Sequence, residues 1–370
     1  MATLLQKAGL LRGLCNGERA CTGPFYITVD LTRRCNLRCF GCRFHSEEIG
    51  APSPGDQQIA EFPFEWAENL FSDVATLGTR QLFLLGDGEP FLHPRLFDII
   101  RLAKQHQLRA TINTNGTFLD EARVQQVIDS GLDEIHVSLW ACSAESYARQ
   151  HGVDASFFHR VLNGLKLLSA MKAEQRVRTP HVTLHHPINC FNYNDVDKMV
   201  ILAKETGCDA ISFSPFKTAR GQLAHYALPA EEQTALRNRM TALQRQIEAL
   251  NLGHNLRRFL ARMAFHEISH GLPCYVCWFH SRIKVDGTVV SCGRSMLALG
   301  SLKTDRFPDI WNGEAYRAER IRRLAPDGQQ YREEIADCQV CGYVEDNQKI
   351  HRIFKHLQPF VRRFNKSSQP

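Results

Sequence analysis

Short apolar runs alternate with helical patterns along most of the chain from residue 25 onward. The apolar runs predict six strands: Phe25–Leu31, Gln81–Leu85, Arg109–Asn113, Glu134–Leu139, His181–His186 and Ala210–Ser214. The helical patterns between them cover Phe64–Leu77, Arg95–His106, Asp120–Ser130, Phe157–Lys172 and Asp195–Glu205. Such alternation is typical of βαβ units and a parallel sheet. Six units predict an α/β fold built on a partial (β/α)6 TIM-like barrel.

A long amphipathic helix is predicted over residues 230–251, after the last of these units. Its apolar residues recur at helical spacing along one stripe, which indicates docking of a single face on the barrel. Pro229 stands at its start and Gly253 marks its end. We therefore divide the chain into five segments, namely an N-terminal extension, a barrel, a connector helix, a small α+β domain and a basic tail: 1–24, 25–228, 229–269, 270–345 and 346–370.

Composition favours a cytoplasmic protein with metal sites. The 370-residue chain is 44% hydrophobic, enough for a large core. It has no run of 18 apolar residues, and its N-terminus lacks the apolar stretch of a secretion signal. Its 13 cysteines fall in a C-x3-C-x2-C run and in C-x2-C pairs, which is typical of metal sites in a reducing compartment. The net charge of +6 comes from residues 349–370, so we expect no nucleic-acid partner.

The loop Cys35-Asn-Leu-Arg-Cys39-Phe-Gly-Cys42 directly follows the first predicted strand. Active sites of parallel α/β barrels lie at the carboxyl ends of the strands, which is where this loop begins. Iron–sulfur clusters normally take four thiolates, so three cysteines leave one iron open to a small molecule. The alternative is a zinc site that His45 completes as the fourth ligand.

With this spacing after the first strand, the loop resembles the signature of the radical S-adenosylmethionine (SAM) superfamily. The resemblance implies that Cys35, Cys39 and Cys42 hold a 4Fe-4S cluster whose open iron chelates SAM. It also implies that one electron from the cluster splits SAM into methionine and a 5′-deoxyadenosyl radical.

The second predicted strand ends in a second motif of the resembled family. Family members usually carry Gly-Gly-Glu-Pro there, which holds the SAM amino group. Gly88, Glu89 and Pro90 match this pattern, while Asp87 replaces the first glycine. The resemblance therefore implies that these three matching residues bind SAM.

Other strand ends carry further residues that the resemblance associates with SAM. Asn115 belongs to a Thr-Asn-Gly turn, Ser138 is placed to meet the ribose or methionine end, and Ser214 lies near the adenine. Family members often have an aromatic residue just before the third cysteine that packs on the adenine. Gly41 stands there in this chain, so Phe40 is the candidate ring.

The fourth strand end departs from the family pattern. The usual Ser-Leu-Asp has become Ser-Leu-Trp, and we interpret Trp140 as a wall of the substrate space. Cys142 lies near the predicted mouth of the barrel, as a hydrogen-atom donor or, alternatively, as a buried inert thiol. His185 and His186 end the fifth strand, where adjacent side chains face opposite sides of the sheet. At most one of this pair therefore faces the interior.

Five more cysteines follow the connector: Cys274, Cys277, Cys292, Cys338 and Cys341. Residues 282–291 between them alternate around an Asp-Gly turn, which predicts a β-hairpin. The set resembles the short twitch version of the SPASM extension of radical SAM enzymes, which holds one auxiliary 4Fe-4S cluster. A full SPASM domain has further cysteines, and Asn347 stands where one would fall.

Five thiols compete for the four iron corners of that auxiliary cluster. Cys292, Cys338 and Cys341 are the first three. Cys274 is favoured over Cys277 because its 17-residue gap to Cys292 resembles that of twitch enzymes. The alternative is a zinc ribbon of two C-x2-C pairs, which leaves the hairpin and Cys292 unexplained.

The resemblance also suggests a reaction, because auxiliary clusters in such enzymes often take the electron of a substrate radical. We therefore expect a radical SAM oxidoreductase that dehydrogenates a sugar or aminocyclitol alcohol or a peptide side chain. Flavodoxin or ferredoxin is the expected reducing partner. Epimerisation and carbon–carbon or carbon–sulfur bond formation on a peptide or small molecule are alternatives. The hypothesis from another class is a zinc-binding interaction protein.

The tail combines an apolar helical stripe with six basic residues and no acidic one between residues 349 and 370. A basic amphipathic helix is typical of a membrane-surface or partner-binding element. Two hypotheses follow. The tail either makes peripheral contact with the inner membrane face, where a lipid-linked or glycan substrate becomes plausible, or docks on its own barrel with a solvated basic face.

Overall fold

The computed structural model describes residues 3–49, 61–216, 223–263, 272–325, 328–335, 338 and 341–366. These residues form one sheet of ten strands in the order β10-β9-β8-β1-β2-β3-β4-β5-β6-β7. The strands are β1 Tyr26–Asp30, β2 Gln81–Leu85, β3 Arg109–Thr114, β4 Glu134–Ser138, β5 His181–Ile188, β6 Ala210–Pro215, β7 Gly253–His254, β8 His280–Ile283, β9 Thr288–Val290 and β10 Gly300–Ser301.

The first six strands pair parallel, each with the next along the chain. A helix follows each of them, as right-handed crossovers between parallel strands require. The partial (β/α)6 barrel is therefore confirmed. The first nine helices are α1 Leu4–Asn16, α2 Phe64–Thr76, α3 Leu96–Gln105, α4 Glu121–Asp129, α5 Ala144–His151, α6 Ser156–Glu174, α7 Val196–Glu205, α8 Ala230–Ala249 and α9 Leu256–Met263.

Alternation along the strands separates an apolar outer layer from a polar interior. On β1, Ile27 and Val29 are fully buried within the hydrophobic core, whereas the alternate residues Thr28 and Asp30 carry polar side chains. Thr28 lies 3.0 Å from the imidazole of His280 on β8, and Asp30 pairs with Arg282 on the same strand. The helices pack on the apolar face of the sheet, and the polar side chains line the interior of the barrel.

The C-terminal region continues the barrel sheet instead of forming a sheet of its own. β8 pairs parallel with β1, and β8 and β9 form the antiparallel hairpin that the Asp-Gly turn predicted. Its remaining helices are Val276–Phe279, Phe307–Trp311, Glu314–Leu324, Gly328–Ile335 and Val344–Lys366. The residue boundaries of the five predicted segments stay predictions, but β9 and β10 of the C-terminal region are joined to β1 through β8.

The sequence predicted the apolar stripe on α8 but not helix α1. The stripe on α8 is confirmed, because Leu236, Met240, Leu243 and Ile247 are buried. Helix α1 was not predicted at all. It is closed by a capping box between Thr3 and Gln6 and ends at Gly17 in the left-handed conformation.

The helix Val344–Lys366 packs on the protein through the part whose side chains are described, residues 344–356. Phe354 is buried and its ring lies 6.0 Å from that of Tyr275, whose hydroxyl is 2.7 Å from Nδ1 of His351. Docking on the protein is thus observed for this part, although Ile353 remains 56% exposed. The rest of the predicted stripe lies outside the described side chains. Among the described helices, none combines the length and apolar character needed to cross a bilayer.

Candidate functional site

The loop Cys35–Cys42 follows β1 and lies against the end of α5. The backbone amides of Arg38 and Phe40 donate to the carbonyls of His151 and Gln150, each at 3.1 Å. These two bonds satisfy part of the backbone of an irregular loop and hold it against α5.

The three thiols of this loop are close enough to influence one another. Burial raises the pKa of Cys35 to about 11, with further contributions from Glu89 and Cys42. The pKa of Cys39 is raised well above its usual value by burial and then by the other two thiols. A bare set of this kind stays protonated, so it gains most from a metal that binds thiolates.

His151 fixes the middle cysteine from inside the protein. Its Nε2–H donates to the Leu139 carbonyl at 3.0 Å, so Nδ1 accepts from the thiol of Cys39, also at 3.0 Å. Burial lowers the pKa of His151 to about 4, which keeps the ring neutral. No sequence motif marks His151 for this role.

Glu89 joins the end of β2 to the end of β3. Its buried carboxylate accepts from the hydroxyl of Thr114 at 2.6 Å and from the amide of Asn115 at 2.7 Å. Burial raises the pKa of Glu89 to about 7, although these hydrogen bonds favour the charged form. A nearby cation would relieve that cost. Asn115 also donates to Asn36 in the cysteine loop at 2.8 Å.

Gly88 has no space for a side chain, because a Cβ there would overlap the carbonyl of Arg34. The amide of Glu89 donates to the same carbonyl at 2.7 Å. The strand-end motif Gly88-Glu89-Pro90 and the cysteine loop are therefore in direct backbone contact, as an arrangement around one shared ligand requires.

Trp140 adopts the left-handed conformation, with a φ of 63°. Its carbonyl accepts from the amides of Gln150 at 3.2 Å and Asn192 at 2.7 Å, and its indole nitrogen donates to Ser138 at 2.9 Å. Strain of this kind persists only where surrounding bonds fix it, and it is concentrated at functional sites. The hydroxyl of Ser138 is thus already engaged by Trp140.

An aromatic cluster surrounds Gly41. The Phe40 ring packs on Phe216 at 5.2 Å and on Tyr226 at 4.5 Å. A Cβ at Gly41 would overlap the Phe216 ring and lie 3.2 Å from Trp140. Phe216, at the end of the sixth strand, occupies the space beside Gly41.

The remaining strand-end candidates fall in two places. Ser214 lies 3.2 Å from Nε2 of His185, so His185 faces the interior, whereas both ring nitrogens of the buried His186 have no partner among the described residues. Cys142 lies beside Asp195; burial raises its pKa to about 11, and Asp195 adds to the rise. Among the described residues, Cys142 has no contact with the cysteine loop that would support a role as hydrogen donor, and that role stays a prediction.

The thiols of the second cysteine set differ in their surroundings. Burial raises the pKa of Cys341 to about 12, with added effects from Cys274, Cys292 and Cys338. Cys277 is fully buried, and the groups that act on it after burial are Arg323, Glu319 and Cys274. Cys341 is thus influenced by Cys274, Cys292 and Cys338, whereas Arg323, Glu319, Cys274 and Arg320 act on Cys277; the choice between Cys274 and Cys277 as the fourth ligand stays a prediction.

Neither cysteine set converges on a single ion. Within the described ranges, no three His, Cys, Asp or Glu side chains could hold one metal ion. A zinc ion draws its sulfurs to about 2.3 Å, whereas a four-iron cluster spaces them around a larger core. Thiols that act on one another without meeting at a point fit a cluster better than zinc.

Arg323 is a fully buried cation against the second cysteine set. Its guanidinium donates to Sγ of Cys274 at 3.1 Å, to Ser291 at 3.0 Å and to Glu319 at 2.5 Å. Asn347, where a further SPASM cysteine would fall, accepts instead from the amide of Tyr275 at 2.8 Å.

Arg282 links the C-terminal hairpin to the barrel. It makes two hydrogen bonds to Asp30, at 2.8 and 2.7 Å, and lies 3.3 Å from Asp87. Burial and the nearby Asp30 raise the pKa of Asp87 to about 6. Burial alone would lower the pKa of Arg282, but the two carboxylates raise it. Neither Arg282 nor Arg323 has a sequence signal, because each is defined by contacts with distant residues.

Comparison with known families places these features in a class. The radical SAM superfamily model matches residues 29–203. The chain therefore has a radical SAM domain, which binds a 4Fe-4S cluster and SAM. The iron–sulfur cluster-binding SPASM model matches residues 274–342, so a SPASM domain that binds auxiliary iron–sulfur clusters follows it. The protein is a radical SAM enzyme with a SPASM domain, which disfavours the zinc-binding interaction protein.

The relatives carry out different reactions. The AdoMet-dependent heme synthase of Methanosarcina barkeri is 27% identical over 314 residues, 80% of this chain and 85% of that protein. The PqqA peptide cyclase of Ruegeria pomeroyi is 28% identical over 322 residues, 82% and 78% of the two chains. The crystal structure of Streptococcus suis SuiB bound to S-adenosylmethionine has the same fold, with a TM-score of 0.63, 16% identity and coverage of 88% and 74%.

The ion pair of Asp30 and Arg282 generates a testable prediction about stability. Asp30→Asn leaves a buried guanidinium with only Asp87, and we expect the free energy of unfolding to fall by about 3 kcal/mol. Asp98→Asn removes a carboxylate from the exposed pairs with Arg95 and Arg101, and we expect a loss below about 1 kcal/mol. Urea titration followed by circular dichroism measures both. Equal losses would contradict the buried pair as an anchor.

Proposed function

We propose that the two cysteine sets hold two 4Fe-4S clusters. Cys35, Cys39 and Cys42 form the site that leaves one iron open. Cys274, Cys292, Cys338 and Cys341 form a fully ligated auxiliary site. Support comes from the mutual influence of the thiols within each set and from the different surroundings of Cys277. Asn347, bound to Tyr275, argues for a single auxiliary cluster.

The residues at the strand ends bind and orient SAM. Gly88 exposes backbone without a side chain beside the cysteine loop, and the Glu89 carboxylate is placed to bind a cation such as the SAM amino group. Asn115 ties this corner to the loop through Asn36. Pro90 follows as the first residue of a short 3-10 turn and stiffens the exit. When bound, the first cluster supplies the electron that cleaves SAM and so provides the hydrogen-abstracting radical.

The rings around Gly41 hold the adenine end. The Phe216 ring occupies the space that a side chain at position 41 would fill. The Phe40 ring stacks on it, with the two ring centroids 5.2 Å apart. Ser138 and Ser214 lie at the neighbouring strand ends, where Trp140 and His185 orient their hydroxyls. Trp140 closes the substrate space over these groups.

The reaction we favour removes two hydrogens from the substrate: the 5′-deoxyadenosyl radical would take one as a hydrogen atom, and the other would leave as a proton to solvent while the auxiliary cluster accepts the remaining electron. The observation that carries it is Arg323, a buried cation 3.1 Å from Sγ of Cys274. Hydrogen bonds and positive charge at cluster sulfurs raise the reduction potential, which favours uptake of an electron. The partly compensating Glu319 limits this effect.

The substrate class we favour is a sugar or aminocyclitol alcohol or a peptide side chain. A second candidate is ring or bond formation on a peptide, which the peptide cyclase among the relatives favours. Epimerisation is the third, and it requires a hydrogen donor such as Cys142. Flavodoxin or ferredoxin supplies the electron, and the basic C-terminal helix is a candidate for peripheral contact with the inner membrane face.

Cleavage of SAM tests the function directly. We expect the anaerobically reconstituted protein, given SAM and dithionite, to release 5′-deoxyadenosine, measured by mass spectrometry. Cys39→Ala should release none, because two thiols do not retain the cluster. Cys21→Ala, which alters an exposed thiol outside both sets, is the control and should match the unaltered protein. Intact SAM in the unaltered protein would refute the proposal.

Iron content decides between the two candidate ligands. We expect about eight irons per chain in the unaltered protein, from two four-iron clusters. Cys274→Ala should lose auxiliary iron and alter the electron paramagnetic resonance signal of that cluster. Cys277→Ala removes a fully buried thiol near Arg323 and Glu319, and it should leave both readings unchanged. The reverse pattern would make Cys277 the ligand.

The role of Arg323 is tested by the potential of the auxiliary cluster. We expect Arg323→Met to lower its midpoint potential by about 60 mV or more, a tenfold change in the one-electron equilibrium. Arg323→Lys keeps the positive charge, and its midpoint potential should lie between those of Arg323→Met and the unaltered protein. Arg322→Met, on the exposed side of the same helix, should have no effect. A redox titration followed by electron paramagnetic resonance measures this, and an unchanged potential in Arg323→Met would contradict the assignment.

A further inference from the structure

A cavity of about 200 Å³ lies between the two cysteine loops. One wall is formed by Arg43, Phe44 and His45, which follow Cys42 in the chain. Another contains Gly293 and Ser295, which follow Cys292. The remaining lining residues come from the ends of β1 and β2 and from the hairpin: Asp30, Arg33, Asp87, Arg282, Lys284 and Asp286.

The two loops are joined directly across this cavity. The guanidinium of Arg43 donates through Nη1 to the carbonyl of Gly293 at 3.0 Å. The cavity lining contains no candidate cluster thiol. It is therefore separate from the positions where the clusters are held, yet it borders the loops that carry both.

Some of the charged side chains that line the cavity have an ion-pair partner, and others do not. Arg282 takes both Asp30 and Asp87, and Asp286 lies 3.3 Å from Arg33. These contacts engage all three acidic residues of the lining. Across the described ranges of the chain, no carboxylate forms an ion pair with Lys284 or Arg43. Lys284 therefore faces the cavity without a carboxylate partner, and Arg43 has only a longer-range attraction to Asp87 and its hydrogen bond to Gly293.

His45 adds an unsatisfied acceptor to the same cavity. The ring is 93% buried, as its 7% exposure shows, and its Nε2–H donates to the carbonyl of Asp87 at 2.8 Å. Nδ1 of the neutral ring is then an acceptor, and among the described residues it has no partner. An unpaired buried acceptor is unfavourable, and a hydrogen-bond donor on a ligand would satisfy it.

We propose that this cavity binds an anionic group of the substrate, a carboxylate or a phosphate, between Lys284 and Arg43. Nδ1 of His45 accepts a hydrogen bond from a hydroxyl or amine beside that group. The inference rests on the proposed function, because it places the substrate between the two cluster loops. It narrows the substrate class to molecules, or peptide segments, that carry an acidic group next to a hydrogen-bond donor.

Calorimetry with two simple probes tests the cavity without any turnover. Inorganic phosphate and glycolate, a carboxylate with an adjacent hydroxyl, are titrated separately into the full-length reconstituted protein. We expect saturable binding of one stoichiometric equivalent of at least one probe. Lys284→Met should weaken it about tenfold through loss of a charged hydrogen bond, and Lys284→Arg should retain it. Lys303→Met, an exposed lysine elsewhere in the C-terminal region, should bind like the unaltered protein.

The outcomes separate the possible ligands and the two proposals. Binding of phosphate alone assigns a phosphorylated substrate, and binding of glycolate alone assigns a carboxylate. Binding of neither probe, or equal binding by Lys284→Met and the unaltered protein, overturns the proposal. Probe binding that depends on Lys284 in a protein that leaves SAM intact would keep the cavity assignment and refute the proposed function.

Discussion

The ion pair between Arg282 and Asp30 is the interaction on which the arrangement of the two halves depends. Asp30 ends β1, immediately before the cysteine loop, and Arg282 lies on β8 in the C-terminal hairpin. Their pairing, together with the parallel register of β1 and β8, makes one sheet of the barrel and the SPASM region. Because the pair is buried, its two charges are costly when separated, and the relative position of the halves is fixed.

Burial of polar groups recurs throughout the site and has a common consequence. The Cys35–Cys42 loop, Glu89, His151 and Arg323 all lie where water cannot stabilise charge. Burial disfavours the thiolates of the cysteine loop until iron replaces the proton, and it disfavours the charged form of Glu89. The protein without cofactors therefore stores an unfavourable electrostatic arrangement that bound clusters and SAM would relieve.

Much of the fold was predictable because its signals are local. Strand–helix alternation depends on neighbouring residues, so the six parallel strands and five of the helices between them were found with boundaries a few residues from those observed. Helix α5 was not predicted. The hairpin at Asp286-Gly287 and the stripe on α8 were predicted for the same reason. Helix α1 was missed because its apolar face is short. The pairing of β8 with β1 had no local signal, since it joins strands about 250 residues apart.

The sequence alone determined the class of chemistry, since the spacing of Cys35, Cys39 and Cys42 and the Gly88-Glu89-Pro90 turn are contiguous patterns that survive without a structure. Only the tertiary structure decided which groups surround them. It brought Phe216 beside Gly41 and set Arg323 against a thiol 49 positions away. The physical reason is that ligand spacing along a loop is set by local backbone geometry, whereas charge, burial and ring packing at a site are set by chain segments that only folding brings together.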